Sequence, residues 1–368
     1  MVVIGSQQSH DPDVAQSEED DELSLEQAVI DQNVDDLSQM MERAAVSGRS
    51  HHSVVNKALL LSPACARGGT DVIRFLLSRG ADCNACTEID GERVWSVLHL
   101  VVVRSDLPCL QVLLQCDNID KDPTSRSGQT PLMIACSNAF LPGVQLLLDS
   151  GCDVDKVNPV TPSTAVHSAF GVGVPFRTIC YSAFETFEQF QCFQCLVEGG
   201  ADLESRDELG FAAIHYAVRI NHIDAVKLLV SKNCDLNATG TFQPGTFDSG
   251  SIVEGVPVTP FLLAVHYGHS RIAKLLIDSG CDFYQSDHIL KSLDDNTMLT
   301  WLKGEFKTPR KLRDMTRTYI RRLLGKTIRT SVDRLPIPVL QKQNLLLNDV
   351  LNDEVQMFPA VSSETTRL

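Results

Sequence analysis

One eight-residue pattern recurs along this chain and constrains its fold more than any other feature. It reads Phe75-Leu-Leu-Ser-Arg-Gly-Ala-Asp82, Leu146-Leu-Leu-Asp-Ser-Gly-Cys-Asp153, Cys195-Leu-Val-Glu-Gly-Gly-Ala-Asp202, Leu228-Leu-Val-Ser-Lys-Asn-Cys-Asp235 and Leu275-Leu-Ile-Asp-Ser-Gly-Cys-Asp282. A degenerate copy ends at Asp117 (Val112-Leu-Leu-Gln-Cys-Asp117). Consecutive aliphatics close a buried helix. Gly80, Gly151, Gly200 and Gly280 stand where the chain must leave that helix with positive φ, Asn233 takes the same slot, and the Asp opens a turn. From Asp202 to Asp235 is 33 residues, and the 71 from Asp82 to Asp153 make two repeats of about 35. The intervals of 49 and 47 that follow Asp153 and Asp235 are each one repeat plus about 15 residues. This extra sequence falls near Gly171–Phe187 and in Thr239–Val258, and the repeat logic places both as loops on one face.

The other half of each repeat carries a start signal. Thr130-Pro-Leu-Met133, Thr164-Ala-Val-His167, Ala212-Ala-Ile-His215, Thr259-Pro-Phe-Leu262 and Ser96-Val-Leu-His99 share one slot. Thr or Ser there can cap a first helix, and Pro sits in its first turn, where no N–H is needed. Two helices per repeat at a period of about 33 residues resemble the ankyrin repeat, over roughly residues 55–287 and in six copies. The resemblance implies an all-α fold, a solenoid of helix-turn-helix repeats joined by β-turn loops. Within residues 23–287, the helical spacing of Leu25, Ala28, Val29, Val34, Leu37, Met40 and Met41 predicts a seventh, degenerate repeat that caps the stack. Residues 1–22 read as an acidic, disordered solubilising tail.

After an adaptor over residues 288–307 a different pattern begins. Thr308-Pro309 forms an N-cap and first helical residue, and Leu312, Met315, Thr316, Tyr319, Ile320 and Leu323 recur at intervals of three and four on one apolar face. Gly325 ends that helix, Leu335-Pro336-Ile337-Pro338 is held extended by its prolines, and Leu340 and Leu345–Leu347 predict a last short helix. Residues 308–349 therefore resemble a SOCS box, a small three-helix module, with a flexible tail at 350–368. That resemblance implies that Leu312, Met315, Thr316 and Ile320 dock in a hydrophobic groove of elongin B/C, and that Leu335, Pro336, Ile337 and Pro338 select cullin-5 with its RING partner. Thr316 stands where the family has Cys, and Lys311 where it has Ser or Pro. Repeats followed by such a module resemble the ankyrin repeat and SOCS box family, whose repeats hold a target for ubiquitination and proteasomal degradation. The competing expectation is a plain ankyrin scaffold or inhibitor whose C-terminal helices only cap the stack.

Charge and motif content narrow the alternatives. The net charge of -15 offers no footprint for nucleic acid or anionic lipid. The 11 basic residues of 303–334 fall on the outer face of an amphipathic helix without an aromatic platform for RNA. No secretory leader and no apolar run of membrane-spanning length is present, so a cytoplasmic location is expected, the nucleus also being compatible. The 12 Cys read as small hydrophobes in a reducing compartment; neither Cys83/Cys86 nor Cys192/Cys195 has the His partners of a zinc site, and no metal or other cofactor is expected. His99, His167 and His215 are expected to bond backbone within their own repeats, and His266 and His269 to lie on the surface. No glycine-rich phosphate loop, nucleophile elbow or carboxylate pair suggests catalysis, so no catalytic residue is assigned and the chain is not expected to be an enzyme. Thr366-Arg367-Leu368 resembles a PDZ-domain ligand, which makes a PDZ domain a secondary expected partner. The target protein is not encoded in any motif. Its expected site is the turn tips near Ile89–Trp95, Arg126–Gln129, Asn158–Thr161 and Arg206–Phe211, together with the two long loops.

Overall fold

The computed structural model describes residues 34–46, 56, 69–89, 92–171, 187–242 and 256–282. The chain divides into two compact units, Met1–Ala201 and Asp202–Leu368. In the first, α1 (Val34–Val46) and α2 (Thr70–Ser78) precede a hairpin of β1 (Cys86–Ile89) and β2 (Glu92–Ser96). The helix pairs α3 (Val97–Val103) with α4 (Leu107–Leu114), and α5 (Pro131–Ser137) with α6 (Leu141–Asp149), follow. Then come α7 (Ala165–Ala169) and α8 (Phe187–Glu198). The second unit contains α9 (Ala213–Arg219), α10 (Ile223–Ser231), the paired strands β3 (Gly240–Phe242) and β4 (Val256–Val258), α11 (Pro260–His266) and α12 (Ser270–Ser279).

Within each unit, first helices pack on first helices and second on second. The first unit joins α3 to α5 to α7 and α2 to α4 to α6 to α8, and the second joins α9 to α11 and α10 to α12. The recurring aliphatics make these seams: Leu76, Leu113, Leu147 and Leu196 are fully buried in the first unit, and Leu229 and Leu276 in the second. Burying one such side chain stabilises the fold by about 1.5–3 kcal/mol, and no helix pair could hide its apolar face without a neighbour. Helix α1 packs on α2 with Leu37 fully buried, and the Arg79 guanidinium donates to Ser38 Oγ at 3.3 Å.

The start and stop signals work locally. Met133 N donates to Thr130 Oγ1 and Leu262 N to Thr259 Oγ1, both at 3.3 Å. Gly80, Gly151, Gly200, Gly280 and Asn233 all take positive φ. A second left-handed slot, between the helices of a pair, was not legible as a pattern, because Ser105, Ala139, Asn221 and Gly268 share it (φ 56°, 54°, 59° and 73°). Ala139 is the least suited of the four, since its Cβ crowds the backbone and no side-chain bond offsets the strain. Ala139→Gly is expected to raise stability by about 0.5–1 kcal/mol, read as a higher urea midpoint; a lower midpoint would show that glycine's entropy cost outweighs the relief.

Three expectations need correction. The fold is not all-helical: β1 pairs with β2 and β3 with β4, both antiparallel, so two of the turn loops are drawn out into hairpins. In the second hairpin, the ends of the Thr239–Val258 insertion pair Gly240 with Val258 and Phe242 with Val256. The degenerate copy is also offset: the residue that does the work of its final Asp is Asp120, not Asp117, as the turn bonds below show. Finally, His269 is not a surface residue. It is half-buried at the N-cap of α12, with Nε2 3.4 Å from the Arg219 carbonyl, whereas His266 is exposed.

Candidate recognition groove

These turns are built from one short device, Asp-x-Asp, Asp-x-Asn or, once, Asp-x-Glu. The first Asp side chain accepts a hydrogen bond from the backbone N–H two residues on, which closes the turn without a helix or strand. Asn84 N donates to Asp82 Oδ1 (2.9 Å), Asp122 N to Asp120 Oδ1 (3.1 Å) and Asp155 N to Asp153 Oδ1 (3.1 Å). The residue at the third position then reaches into the next repeat. Asp120 N donates to Asn84 Oδ1 at 2.8 Å, and Asp153 N to both oxygens of Asp122 at 3.1 and 3.0 Å. The second unit repeats the scheme: Glu204 N donates to Asp202, Asp235 N to Glu204, Asn237 N to Asp235, and Asp282 N to Asn237. Each unit therefore has a ladder of side-chain acceptors running from repeat to repeat. It places Asp120 in register with Asp82 and Asp153.

The histidines form a second, buried tie. Ser96 N donates to His99 Nδ1 (3.2 Å), Thr164 N to His167 Nδ1 (3.2 Å) and Ala212 N to His215 Nδ1 (3.1 Å). Nδ1 is thus the acceptor and Nε2 carries the proton. His99 Nε2 lies 3.0 Å from the Gln129 carbonyl, and His215 Nε2 lies 3.0 Å from that of Ala238, each in the following repeat. The expectation of bonds within one repeat captured half of this; the same ring also ties one repeat to the next. Burial holds both imidazoles neutral, with pKa lowered to about 4.

These ties position a groove in the first unit of about 700 Å³, open to solvent. It is lined by Val94 and Trp95 of β2, by the Asp120-x-Asp122 turn with Pro123 and Thr124, and by Lys156. Arg126 N donates to the Val94 carbonyl at 3.1 Å and ties β2 to the chain that follows that turn. Trp95 is half-buried and meets the His99 ring edge-on, centroids 5.7 Å apart. The Asp122 carboxyl is pushed up in pKa, first by burial and then by Asp153 and Asp120; the Asp153 N–H and Lys156 pull it the other way. Val157 and Val160, on the loop that continues from Lys156, are 54% and 60% exposed.

Of the four tips expected to meet a target, one contributes here, through Val94 and Trp95, which line the groove. Asn158 is instead buried and holds its own loop: its Oδ1 accepts from Val160 N and Thr161 N, and its Nδ2 donates to the Ser127 carbonyl. Asp207 does the same in the second unit, accepting from Leu209 N and Phe211 N and from the Tyr216 hydroxyl. Asp120, Asp122 and Lys156 were missed, and the signal that could have found them is the Asp-x-Asp spacing read in the correct register.

The cysteines carry no activated thiol among those whose shift is resolved. Burial raises Cys109, Cys152 and Cys192 to about 12, and Cys136 well above its usual value. Among the described residues no three His, Cys, Asp or Glu side chains converge as a metal-binding group, and no helix is long and apolar enough to cross a membrane. Leu312, Met315, Thr316 and Ile320, and Leu335, Pro336, Ile337 and Pro338, lie outside the described residues, as do the basic stretch 303–334 and Thr366–Leu368.

Comparison with known proteins agrees with the repeat geometry. A model of three-copy ankyrin repeats matches residues 61–158 and 177–240, and a model of the single ankyrin repeat matches 258–288; together they span just over half of the chain. The human "Ankyrin repeat and SOCS box protein 16" is 25% identical over 316 residues, 78% of this chain and 66% of that protein. A "Putative ankyrin repeat protein" of Rickettsia bellii is 26% identical over 178 residues, 47% of this chain and 50% of that protein. The "E3 ubiquitin-protein ligase KEG" of Arabidopsis thaliana is 23% identical over 311 residues, 80% of this chain but 17% of that protein. The chain thus spans about half to two thirds of the length of the first two. Among solved structures, the ankyrin repeat domain of Bcl-3 superposes with a TM-score of 0.50 at 21% identity, over 66% of this chain and 93% of that domain.

Proposed function

The chain belongs to the ankyrin-repeat family and has its helical solenoid fold, and from that premise we propose that it is the substrate-recognition subunit of an elongin B/C–cullin-5–RING ubiquitin ligase. The observation that carries this reading is the segment that follows the repeats. Leu312, Met315, Thr316 and Ile320 recur at the three- and four-residue spacing expected of one apolar helical face, and the sequence Leu335-Pro336-Ile337-Pro338 comes shortly after, in the order of a SOCS box. The similarity to a human protein named for the same two modules, over 78% of this chain, supports it. Solenoids present an extended surface to a partner, and the groove beside Trp95 offers one here. Ubiquitin transfer then needs nothing catalytic from this chain. It needs the target held near chemistry on other subunits, a proximity effect. Function at the level of the fold is protein binding; elongins, cullin-5 and target degradation are the proposal.

Two steps of assembly separate in the test. The full chain, co-expressed with elongin B/C, should co-purify with them and then bring down cullin-5 with its RING partner. Pro336→Ala with Pro338→Ala should weaken cullin capture at least about tenfold while leaving elongin capture unchanged, because the prolines fix an extended segment whose ordering a flexible chain must supply at the moment of binding. Failure of the unsubstituted chain to capture elongins would leave a binding scaffold and end the ligase reading.

A further inference from the structure

The proposed function leaves the chemistry of the target open, and the groove of the first unit narrows it. We propose that this groove takes a basic segment of the target protein, with an arginine side chain seated between the Trp95 ring and the carboxylates of Asp120 and Asp122. The inference deepens the recognition half of the ligase reading and rests on the repeats being the target-binding part.

Three observations converge on that occupant. The space, about 700 Å³ and partly open to solvent, suits one long side chain of a peptide directed inward, and an enclosed small molecule less well. Its lining brings an aromatic residue, Trp95, and two carboxylates, Asp120 and Asp122, to one space, a pairing that a guanidinium satisfies at once, through its flat face and its fork of N–H donors. Neither carboxylate has an ion-pair partner among the described residues, although each is engaged through one or both oxygens by the turn ladder. Lys156 is an exposed single amine on the same lining, and its charge acts on Asp122 against those of Asp153 and Asp120, in a chain whose net charge is -15. A guest cation relieves that crowding.

The test uses the full chain without elongins, so that loss of elongin capture and loss of groove binding are read separately. Fluorescein-labelled peptide pools, randomised except for a central arginine, citrulline or glutamate, are titrated by fluorescence anisotropy. Citrulline keeps the shape of arginine and removes its charge. The arginine pool should bind about tenfold tighter than the citrulline pool, with the glutamate pool weakest and the preference shrinking as salt is raised. Asp120→Asn with Asp122→Asn should abolish the preference; each amide oxygen still accepts one ladder bond, although Asn at 122 keeps only one of the two contacts with the Asp153 N–H, so thermal unfolding is measured alongside to show that the repeats remain folded at the binding temperature. Lys156→Glu, at an exposed position, should increase the preference. Equal binding of the arginine and citrulline pools, a preference surviving the double Asn variant, no response to Lys156→Glu, or no binding of any pool would each overturn the proposal.

Discussion

Leu312→Asp is expected to eliminate the capture of elongin B/C by the full chain. By sequence spacing, Leu312 opens the expected apolar face of the segment after Pro309, a helical pattern that would put Met315, Thr316 and Ile320 on the same side and Arg313, Arg317, Arg321 and Arg322 on the other. A face of that kind gains free energy only by leaving water, and a groove on another protein is the means that the SOCS-box resemblance implies. Placing a carboxylate there exchanges a gain of about 2 kcal/mol for the cost of an unpaired buried charge, which amounts to several kcal/mol in all and about a thousandfold or more in affinity. Elongin co-purification at the level of the unsubstituted chain would remove the mechanism. Thermal unfolding of the variant separates the readings further. If the same face is tucked into the chain's own interior, as a plain scaffold requires, Leu312→Asp lowers the unfolding temperature of the repeats. If the face serves a partner, the repeats are indifferent to it.

What could be read from residues alone follows the range of the interactions concerned. The Leu-Leu-x-x-Gly-x-Asp copies and the Thr-Pro starts are local signals, each decided within one turn of helix, and among the described residues the helices lie where they predict. The register of the third repeat was not legible, because Asp117 and Asp120 both follow Leu113–Leu114 closely. The choice between them is made by Asn84, 36 residues earlier, whose side chain accepts the Asp120 N–H. The hairpin at β1–β2 had a local signal that was passed over: Asp90-Gly91 between Cys86–Ile89 and Glu92–Ser96, the sequence of a tight turn flanked by β-branched and aromatic residues. The groove had none. Val94, Asp122 and Lys156 come from three successive repeats, and only the ladder and the Arg126–Val94 bond bring them to one lining. Asn158 and Asp207 show the converse. As polar residues at tips they resemble binding groups, and both are used up satisfying the backbone of their own loops.

Both compact units are also expected to lose stability on mild acidification, and to do so through His99 and His215. The folded-state pKa of each, about 4, lies below the usual 6.5, so between those values the unfolded chain binds more protons than the folded one. The stabilisation is therefore complete above about pH 6.5 and is withdrawn as pH falls towards 4. It amounts to about 2 kcal/mol per histidine at pH 5 and about 3 at pH 4, an order-of-magnitude figure from 1.36 kcal/mol per unit of pKa. The physical cause is geometric as well as dielectric. Nδ1 already accepts the N–H of Ser96 or Ala212, so a second ring proton would set donor against donor at a fully buried site. His222 and His269, both lowered by burial, act in the same direction, while the raised carboxyl of Asp122 opposes them, being easier to protonate in the folded state. Urea midpoints followed by circular dichroism at pH 7.5, 6, 5 and 4.5 should fall steadily. His99→Gln with His215→Gln supplies the control, since Gln at the third helical position can return a hydrogen bond to the N-cap N–H but cannot titrate. That variant should be less stable at pH 7.5, having lost the bonds to the Gln129 and Ala238 carbonyls, yet show a much flatter decline below pH 6.5. A decline as steep as that of the unsubstituted chain would place the acid sensitivity elsewhere and leave the two histidines as structural ties only.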